Sequence, residues 1–145
     1  MITKTCGYAI RGVIFLALEK NINRKIGIKE IAGELAVPQQ FMGKILQDLV
    51  RKNILKSTKG PNGGFYVDHT IMELSLIRIV EAIDGLGILK KCFLGREECS
   101  SENPCPMHDD FELCRNSIFE VFQKKNIRHF VNHIEDGTTF LAVFN

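Results

Sequence analysis

The chain has 145 residues, of which 45% are hydrophobic and 25% are charged, the composition of a single globular domain. Because a chain of this length buries only roughly 70% of the surface that its extended form exposes, a large multidomain enzyme is excluded. The net charge of +2 conceals an asymmetry: residues 1–70 contain eleven Lys and Arg against five Asp and Glu, whereas residues 71–145 contain eight against twelve. The first part of the chain suits a polyanionic partner, and the second part does not.

The chain contains five cysteines, an odd number. A secreted disulfide scaffold more often shows an even count together with a signal peptide. The apolar stretch 8–18 is interrupted by Arg11 and lacks a cleavage-type end, and no run reaches the roughly 18–20 apolar residues of a membrane span. We therefore expect a soluble, cytoplasmic protein with no membrane partner, in which clustered thiols indicate metal or redox chemistry.

Apolar residues recur with helical spacing four times in the first 85 residues. The four sets are Ile10/Val13/Ile14/Ala17, Ile28/Ile31/Ala32/Leu35, Met42/Ile45/Leu46/Leu49 and Leu76/Ile79/Val80/Ile83. Only Ala36 and Val37 separate the second helix from the third, and Pro38 suits the first turn of the third helix, so this pair predicts a helix-turn-helix. Ser75 is expected to cap the fourth helix, and Gly85 to end it.

A short hairpin follows the third helix. Residues 54–58 and 65–67 are typical of strands, and the glycine-rich turn 59–64 joins them. The sequence therefore predicts a mainly α fold with a small β-hairpin, a winged helix-turn-helix. Residues 88–108 then lose their periodicity and carry most of the cysteines, which predicts a loop held by something other than an apolar face.

Helical periodicity returns over 109–130, which predicts one long C-terminal helix. Its apolar stripe has the spacing of a helix that packs on a partner helix and consists of Phe111, Cys114, Ile118, Val121 and Phe122. At about 1.5 Å per residue this helix would be about 30 Å long, too long for so small a body to cover, so we expect a homodimer interface. Cys114 is expected to be a small buried thiol on that stripe. The tail carries the apolar residues Phe140, Leu141, Val143 and Phe144.

A helix-turn-helix with a wing presents one helix to the DNA major groove and the hairpin to the backbone or minor groove. The predicted DNA-contacting residues lie early in the third helix, at its end and on the wing. They are Gln39, Gln40, Gly43, Lys44, Arg51, Lys56, Lys59 and Asn62. Glutamine can bond base edges, and lysine reaches phosphate or guanine, so binding is expected to weaken as salt rises.

Other interpretations of this half of the chain stay open. Winged helices also serve as protein-interaction modules, and basic residues can simply face solvent. Tyr8, Phe41 and Phe65 are expected to be core or hinge aromatics rather than base-stacking platforms. An enzyme is not expected, because there is no Gly-rich phosphate loop, no paired acid–base carboxylates and no nucleophile with an evident base.

The cysteine-rich loop follows the pattern C-x6-C-x5-C-x2-H, formed by Cys92, Cys99, Cys105 and His108. Thiolates held close together repel one another, so the pattern suggests oxidation or a bound cation. Zinc ligands often come as C-x2-C pairs, which this loop lacks, whereas iron–sulfur clusters accept wider spacing; iron–sulfur, zinc and a redox-active disulfide all stay open. His108 could instead be a surface histidine. Cys6 is a core cysteine by default, although its segment could reach the loop of a partner subunit.

Several segments together resemble one family, the bacterial winged-helix regulators that include the iron–sulfur cluster regulator IscR, the nitric-oxide-sensing repressor NsrR and the cysteine-metabolism repressor CymR. The matching segments are Tyr8–Arg11, Ile28–Ala32, Lys59–Phe65, Ile79–Gly85 and the three-cysteine loop. The resemblance implies a homodimeric transcription factor that binds a partly palindromic double-stranded DNA operator. It implies a winged-helix DNA-binding domain over 1–70, a connecting helix and cluster-binding loop over 71–108, and a dimerisation helix with its tail over 109–145.

In cluster-binding members the three loop cysteines ligate a [2Fe–2S] or [4Fe–4S] cluster, which implies that role for Cys92, Cys99 and Cys105. His108 matches the histidine of the cluster regulator, and Cys6 lies where other members supply a ligand from the partner subunit. The resemblance implies a repressor whose operator affinity is controlled by a cluster that senses redox state, nitric oxide or iron status. The alternatives are control by a thiol/disulfide switch, zinc or a partner protein, or a module that does not bind DNA.

This sequence departs from the family pattern at three places. The first cysteine gap is six residues where five is usual, so the loop is longer there. Gly43 replaces a residue with a side chain in the recognition helix, and Lys59 stands where Arg is common. The family's DNA contacts nevertheless match Gln40, Gly43 and Lys59 here, although its operator preference does not transfer.

Overall fold

The computed structural model describes residues 2–141, so Val143 and Phe144 of the predicted tail lie outside the described residues. The elements in chain order are helices α1 (Lys4–Ala17), α2 (Ile28–Leu35) and α3 (Gln39–Arg51), strands β1 (Lys56–Thr58) and β2 (Gly64–Tyr66), helices α4 (His69–Met72) and α5 (Leu76–Ile83), a 3₁₀ helix (Leu86–Leu89), and helices α6 (His108–Lys124) and α7 (Ile127–Glu135). This architecture confirms the predicted class, mainly helical with one small antiparallel hairpin.

Helices α1, α2 and α3 surround a common apolar core, as their periodicity predicts. The turn between α2 and α3 is short because Ala36 adopts the left-handed conformation (φ 53°, ψ 45°) and donates its N–H to carbonyls of the last turn of α2. Pro38 occupies the N-cap of α3, one residue before the predicted position. Leu46 of α3 packs close to Gly12 of α1, where an added Cβ would lie 3.2 Å from the Leu46 side chain.

The hairpin forms a wing in which Lys56 pairs with Tyr66 and Thr58 with Gly64. β1 begins two residues later than predicted, since Ile54 and Leu55 are buried in the core instead of being paired. A Cβ at Gly63 would lie 2.2 Å from the Thr58 carbonyl oxygen. A Cβ at Gly64 would lie 2.6 Å from the Ile26 carbonyl oxygen, so the turn requires glycine at both positions.

The prediction of a single helix over 109–130 is wrong, because two helices meet at Lys125 and Asn126. The side chain of Asn126 caps α7 by accepting a hydrogen bond from the N–H of His129 at 2.9 Å. The Lys125 carbonyl accepts a hydrogen bond from the N–H of Leu76 at 2.9 Å instead of one from a later residue of its own helix. This break lets Ile127 turn back into the core beside α1.

The shortened α6 is about 25 Å long, and most of its apolar surface is open in the single chain. Leu113 and Val121 are 71% and 46% exposed, and Ile118 is half-buried. Cys114 is exposed rather than buried, contrary to prediction.

Ser75 occupies the N-cap position of α5, as predicted, although its side chain makes no capping hydrogen bond.

Candidate functional site

The exposed face of α3 is the first candidate surface. Met42, Ile45, Leu46 and Leu49 are buried in the core. This leaves Gln39, Gln40 and Lys44 in solvent and Gly43 partly covered. These four predicted residues line an open groove of about 850 Å³. The helical period therefore brings the predicted base-reading residues onto one surface.

Phe41 contradicts the sequence interpretation. It was expected in the core or at a hinge, yet its side chain is 61% exposed and lines the same groove. The reason is its angular position, since Phe41 lies about 100° of helical rotation from its buried neighbour Met42 and away from the core. By contrast, Tyr8 and Phe65 pack against the core as expected.

The cations at the end of α3 and on the wing differ in how they are paired. Arg51 lies 3.1 Å from Asp48, and Lys56 pairs with Asp68. The hydrogen bond from Lys56 is the main reason that the pKa of Asp68 lies below its ordinary value. Surface pairs of this kind contribute at most about 1 kcal/mol, so a phosphate could exchange for either carboxylate.

Lys44 and Lys59 have no ion pair within residues 2–141. A second groove, of about 490 Å³, runs from Arg51 to Lys59 and so joins the end of α3 to the wing. Asn62 lies exposed in the wing turn. The helix and the wing thus form a continuous basic surface, which suits the polyanionic backbone of DNA.

The cysteine-rich loop brings its four candidate ligands together as two pairs. Cys99 Sγ lies 3.2 Å from Nδ1 of His108, and the buried Cys92 has the Cys105 thiol near enough to lower its pKa. No group of three His, Cys, Asp or Glu side chains in residues 2–141 is arranged to hold a metal ion. The loop gathers suitable donors, therefore, but does not converge them on one point.

Cys92 and His108, one residue from each pair, lie in surroundings that change their chemistry. Burial opposes ionisation of Cys92, but the backbone N–H groups of Arg96 and Leu94 and the Cys105 thiol outweigh it and lower the pKa of Cys92. His108 is 5% exposed, and its Nε2 has no partner within hydrogen-bond distance, since the nearest carboxylate oxygen, Oε2 of Glu112, lies 3.6 Å away. The surface-histidine alternative is therefore wrong, because His108 is a buried first residue of α6 with one nitrogen left unsatisfied.

Cys6 lies apart from the loop pairs, fully buried at the start of α1. Its N–H donates to Thr3 Oγ1 at 3.1 Å, and its thiol faces Asp84. Burial above all, and then the Asp84 carboxylate, raise the pKa of Cys6 to about 12. These surroundings favour the protonated form of the Cys6 thiol within its own chain.

The end of α5 joins the helix-turn-helix to the thiol loop, a connection that the sequence interpretation missed. Asp84 accepts hydrogen bonds from the N–H (2.9 Å) and the hydroxyl of Thr3, at the start of α1. The ammonium of Lys52, which follows α3, donates to the Ala82 carbonyl. On the other side, Arg115 of α6 donates to the Lys91 carbonyl at 3.3 Å. From the sequence, this segment was predicted only to end a helix and to match the family pattern, with no contact to α1 or α3.

The fold and these surfaces define a winged helix-turn-helix transcriptional regulator. The chain belongs to the Rrf2 family, described as iron-dependent transcriptional regulators, whose model matches residues 2–133. This membership confirms the resemblance found in the sequence and the expectation that the chain is not an enzyme.

Individual relatives agree with this assignment. A protein of Aquifex aeolicus named as an HTH-type transcriptional regulator is 29% identical over 138 residues, 94% of each chain. The HTH-type transcriptional regulator NsrR of Oceanobacillus iheyensis is 22% identical over 97% of this chain and 95% of its own. The structure of CymR, the global cysteine regulator of B. subtilis, superposes with a TM-score of 0.74 at 16% identity and covers 92% of this chain and 97% of that one. This last likeness shows a shared fold. Among residues 2–141, no helix has both the length and the apolar character needed to cross a bilayer.

Proposed function

We propose that the chain binds a partly palindromic DNA operator as a homodimer, and that an iron–sulfur cluster held by its cysteine-rich loop controls the affinity. The observation that carries this proposal is the set of contacts at the end of α5. There Asp84 bonds Thr3 at the start of α1, Ala82 bonds Lys52 at the end of α3, and the chain continues directly into the thiol loop. A change in the loop can therefore reach the DNA-binding helices through packed, hydrogen-bonded structure.

In this proposal the recognition surface is divided between α3 and the wing. Gln39, Gln40 and Lys44 enter the major groove, where glutamine can bond an adenine edge and lysine can reach guanine or phosphate. Lys59 and Asn62 contact the backbone beside that groove. Arg51 and Lys56 exchange their carboxylate partners for phosphates, which makes the affinity strongly salt-dependent.

Helix α6 supplies the dimer interface. Its seam, formed by the exposed Cys114 and Val121 and the half-buried Ile118, is apolar and follows the spacing i, i+4, i+7 of one helix face. A second copy of this chain would cover the seam and place two recognition helices about one turn of DNA apart. The three-part division of the chain at residues 70 and 108 follows from these roles.

The residues present fit an iron–sulfur cluster in the kind of donors they offer. Cys92, Cys99, Cys105 and His108 would hold it, since they supply three thiols and an imidazole with an unsatisfied buried nitrogen. When bound, such a cluster supplies iron that reacts with oxidants and nitric oxide. Cys6 is buried beside Asp84 of its own chain and remains a candidate ligand for the loop of a partner subunit.

The chain's own residues transmit the state of the loop. Leu89, buried at the end of the 3₁₀ helix, and Cys92 anchor the loop on the body of the protein. Arg115 ties the same segment to α6. A loop that is drawn together shifts these anchors and, through Asp84, the start of α1. Coupling between two sites of a protein typically changes affinity about 5–150-fold.

A second candidate is control by a thiol/disulfide switch, which the pairwise arrangement favours. The Cys105 thiol is near enough to Cys92 to lower its pKa. Oxidation of these two thiols would form one disulfide and pass two electrons and two protons to an oxidant such as a small-molecule disulfide. This switch would act through the same anchors and would need no metal.

Anaerobic purification followed by visible spectroscopy and by iron, sulfide and zinc analysis distinguishes these candidates. The cluster proposal expects iron and sulfide in the wild type, and their loss in Cys92→Ala, Cys99→Ala, Cys105→Ala and His108→Ala. The exposed Cys114→Ala serves as the matched control and should keep both. Cys6→Ala tests whether the partner subunit supplies a ligand, since only a ligand role predicts loss of iron in that variant. Full iron and sulfide in the loop variants would refute the ligand set, and a metal-free wild type with a reducible Cys92–Cys105 bond would favour the thiol switch.

A further inference from the structure

Gly43 lies within the recognition helix at a position where packing does not require glycine. Apart from proline, glycine is the residue least favourable to a helix interior. A Cβ added at Gly43 would meet one atom, Cγ1 of Ile28 at 3.8 Å, which is an ordinary van der Waals contact. Alanine would fit there without displacement, so the structure of the chain alone offers no reason for the glycine.

The missing side chain leaves a notch on the DNA-facing surface. The floor of this notch is the α3 backbone beside the half-buried Ile28. Phe41 lies on the opposite flank of the same groove and is 61% exposed. Two apolar features therefore bracket the polar side chains Gln40 and Lys44 on the surface that would face DNA.

The chemistry of this surface matches one feature of the DNA major groove. Among the groups that base pairs expose there, the C5-methyl of thymine is the apolar one, and phenylalanine is among the side chains that contact it. The flanking glutamines are suited to adenine, the pairing partner of thymine. Lys44 carries a charge without an ion pair in residues 2–141, which favours an anionic ligand over an apolar protein surface.

We propose that Phe41 and the notch at Gly43 read thymine methyl groups, so that both residues set operator specificity. This inference rests on the proposed DNA-binding function and adds the base chemistry that the recognition helix selects. It predicts A·T pairs in each half-site, with thymine methyls packed on the Phe41 ring and against Ile28 in the notch.

The test compares thymine with uracil, which lacks only the C5-methyl. Duplexes that the wild-type protein prefers are first selected from a randomised pool, and each thymine of the preferred duplex is then replaced singly by deoxyuridine. Burial of one methyl corresponds to about a fourfold change in affinity. We expect losses of about that size at one or two thymines of each half-site, measured at one salt concentration.

Three variants assign these losses to residues. Phe41→Ala should abolish the thymine preference at one position, and Gly43→Ala should abolish it at another by filling the notch. Gly43→Ala should also raise the unfolding temperature by roughly 2–4 °C. The matched control Gly33→Ala, in α2 with open space around the added Cβ, should be similarly stabilised and keep the full preference.

The outcomes separate this inference from the function on which it rests. A selected duplex whose affinity is unchanged by every uracil substitution overturns the inference and leaves DNA binding intact. Thymine preferences that persist unaltered in both Phe41→Ala and Gly43→Ala also overturn it. A wild-type protein that enriches no duplex, or whose capture of the pool is insensitive to salt, refutes the proposed function itself.

Discussion

The Asp84 carboxylate offers the sharpest test of how the DNA-binding helices are joined to the thiol loop. It accepts two hydrogen bonds from Thr3 at the start of α1, one from the N–H and one from the hydroxyl. Asp84→Ala removes both acceptors and a negative charge near a helix N-terminus. An N-terminal capping interaction contributes about 1 kcal/mol, and such a charge contributes about 0.3–1 kcal/mol. We therefore expect the free energy of unfolding to fall by about 1–2 kcal/mol.

Thermal unfolding at fixed protein concentration measures this loss, and fixed concentration matters because a dimer's Tm depends on it. The expected fall in Tm is roughly 2–8 °C. Asp84→Asn, which keeps one oxygen, should fall between the wild type and Asp84→Ala. Glu81→Ala is the matched control, because Glu81 is an exposed carboxylate one turn earlier in α5. If Asp84→Ala and Glu81→Ala agree within about 0.5 kcal/mol, the range of ordinary surface changes, Asp84 does not hold α1.

Three further predictions concern the rest of the fold. Asn126→Ala removes the α7 cap and should lower the free energy of unfolding by about 1 kcal/mol in urea titrations. Asn132→Ala, on the exposed side of α7, should lower it little. Equal losses in the two variants would contradict the helix break. Val121→Glu should convert the dimer to monomers in sedimentation analysis, while Gln123→Glu should leave it dimeric; a dimeric Val121→Glu protein would refute the α6 interface. Folding raises the pKa of Cys6 from 9.0 to about 12, so between these pH values the thiol ionises only in the unfolded state. The free energy of unfolding of the wild type should therefore fall more steeply with pH in this range than that of Cys6→Ala. Parallel pH curves would contradict the burial of Cys6 beside Asp84.

The sequence was most informative where one local pattern decided the structure. The four apolar periods located α1, α2, α3 and α5, since burial of an amphipathic stripe determines where a helix packs. The wing turn was predicted equally well from its glycines. The structure gives the reason, because a Cβ at Gly63 or Gly64 would collide with the backbone. Both signals lie within a few residues and need no knowledge of distant partners.

Two of the errors came from contacts between distant parts of the chain, and a third came from residue type. The apolar stripe over 109–130 is continuous in the sequence, but the helix breaks at Asn126. There the Leu76 N–H donates to the Lys125 carbonyl, and the Ile127 N–H donates to the Leu74 carbonyl. The role of Asp84 likewise depends on Thr3, 81 residues away. Phe41 was misplaced by residue type, since an aromatic side chain predicts burial even where helical angle directs it outward.

The candidate site was predictable in its composition but not in its arrangement. The spacing of the cysteines identified the loop and its donors, whereas the separation into a Cys99–His108 pair and a Cys92–Cys105 pair depends on how the loop folds. The distinction between Cys6 and the loop cysteines also required the structure, because it rests on the burial of Cys6 beside Asp84.

The most direct test of the central claim is the operator affinity of one anaerobic preparation before and after its iron is removed by chelation. Fluorescence anisotropy on a selected duplex at constant salt would give both values. The proposed coupling predicts affinities that differ by at least about fivefold, with no such difference in Cys92→Ala. Equal affinities for the iron-loaded and iron-free forms would contradict control of DNA binding by an iron–sulfur cluster in the cysteine-rich loop.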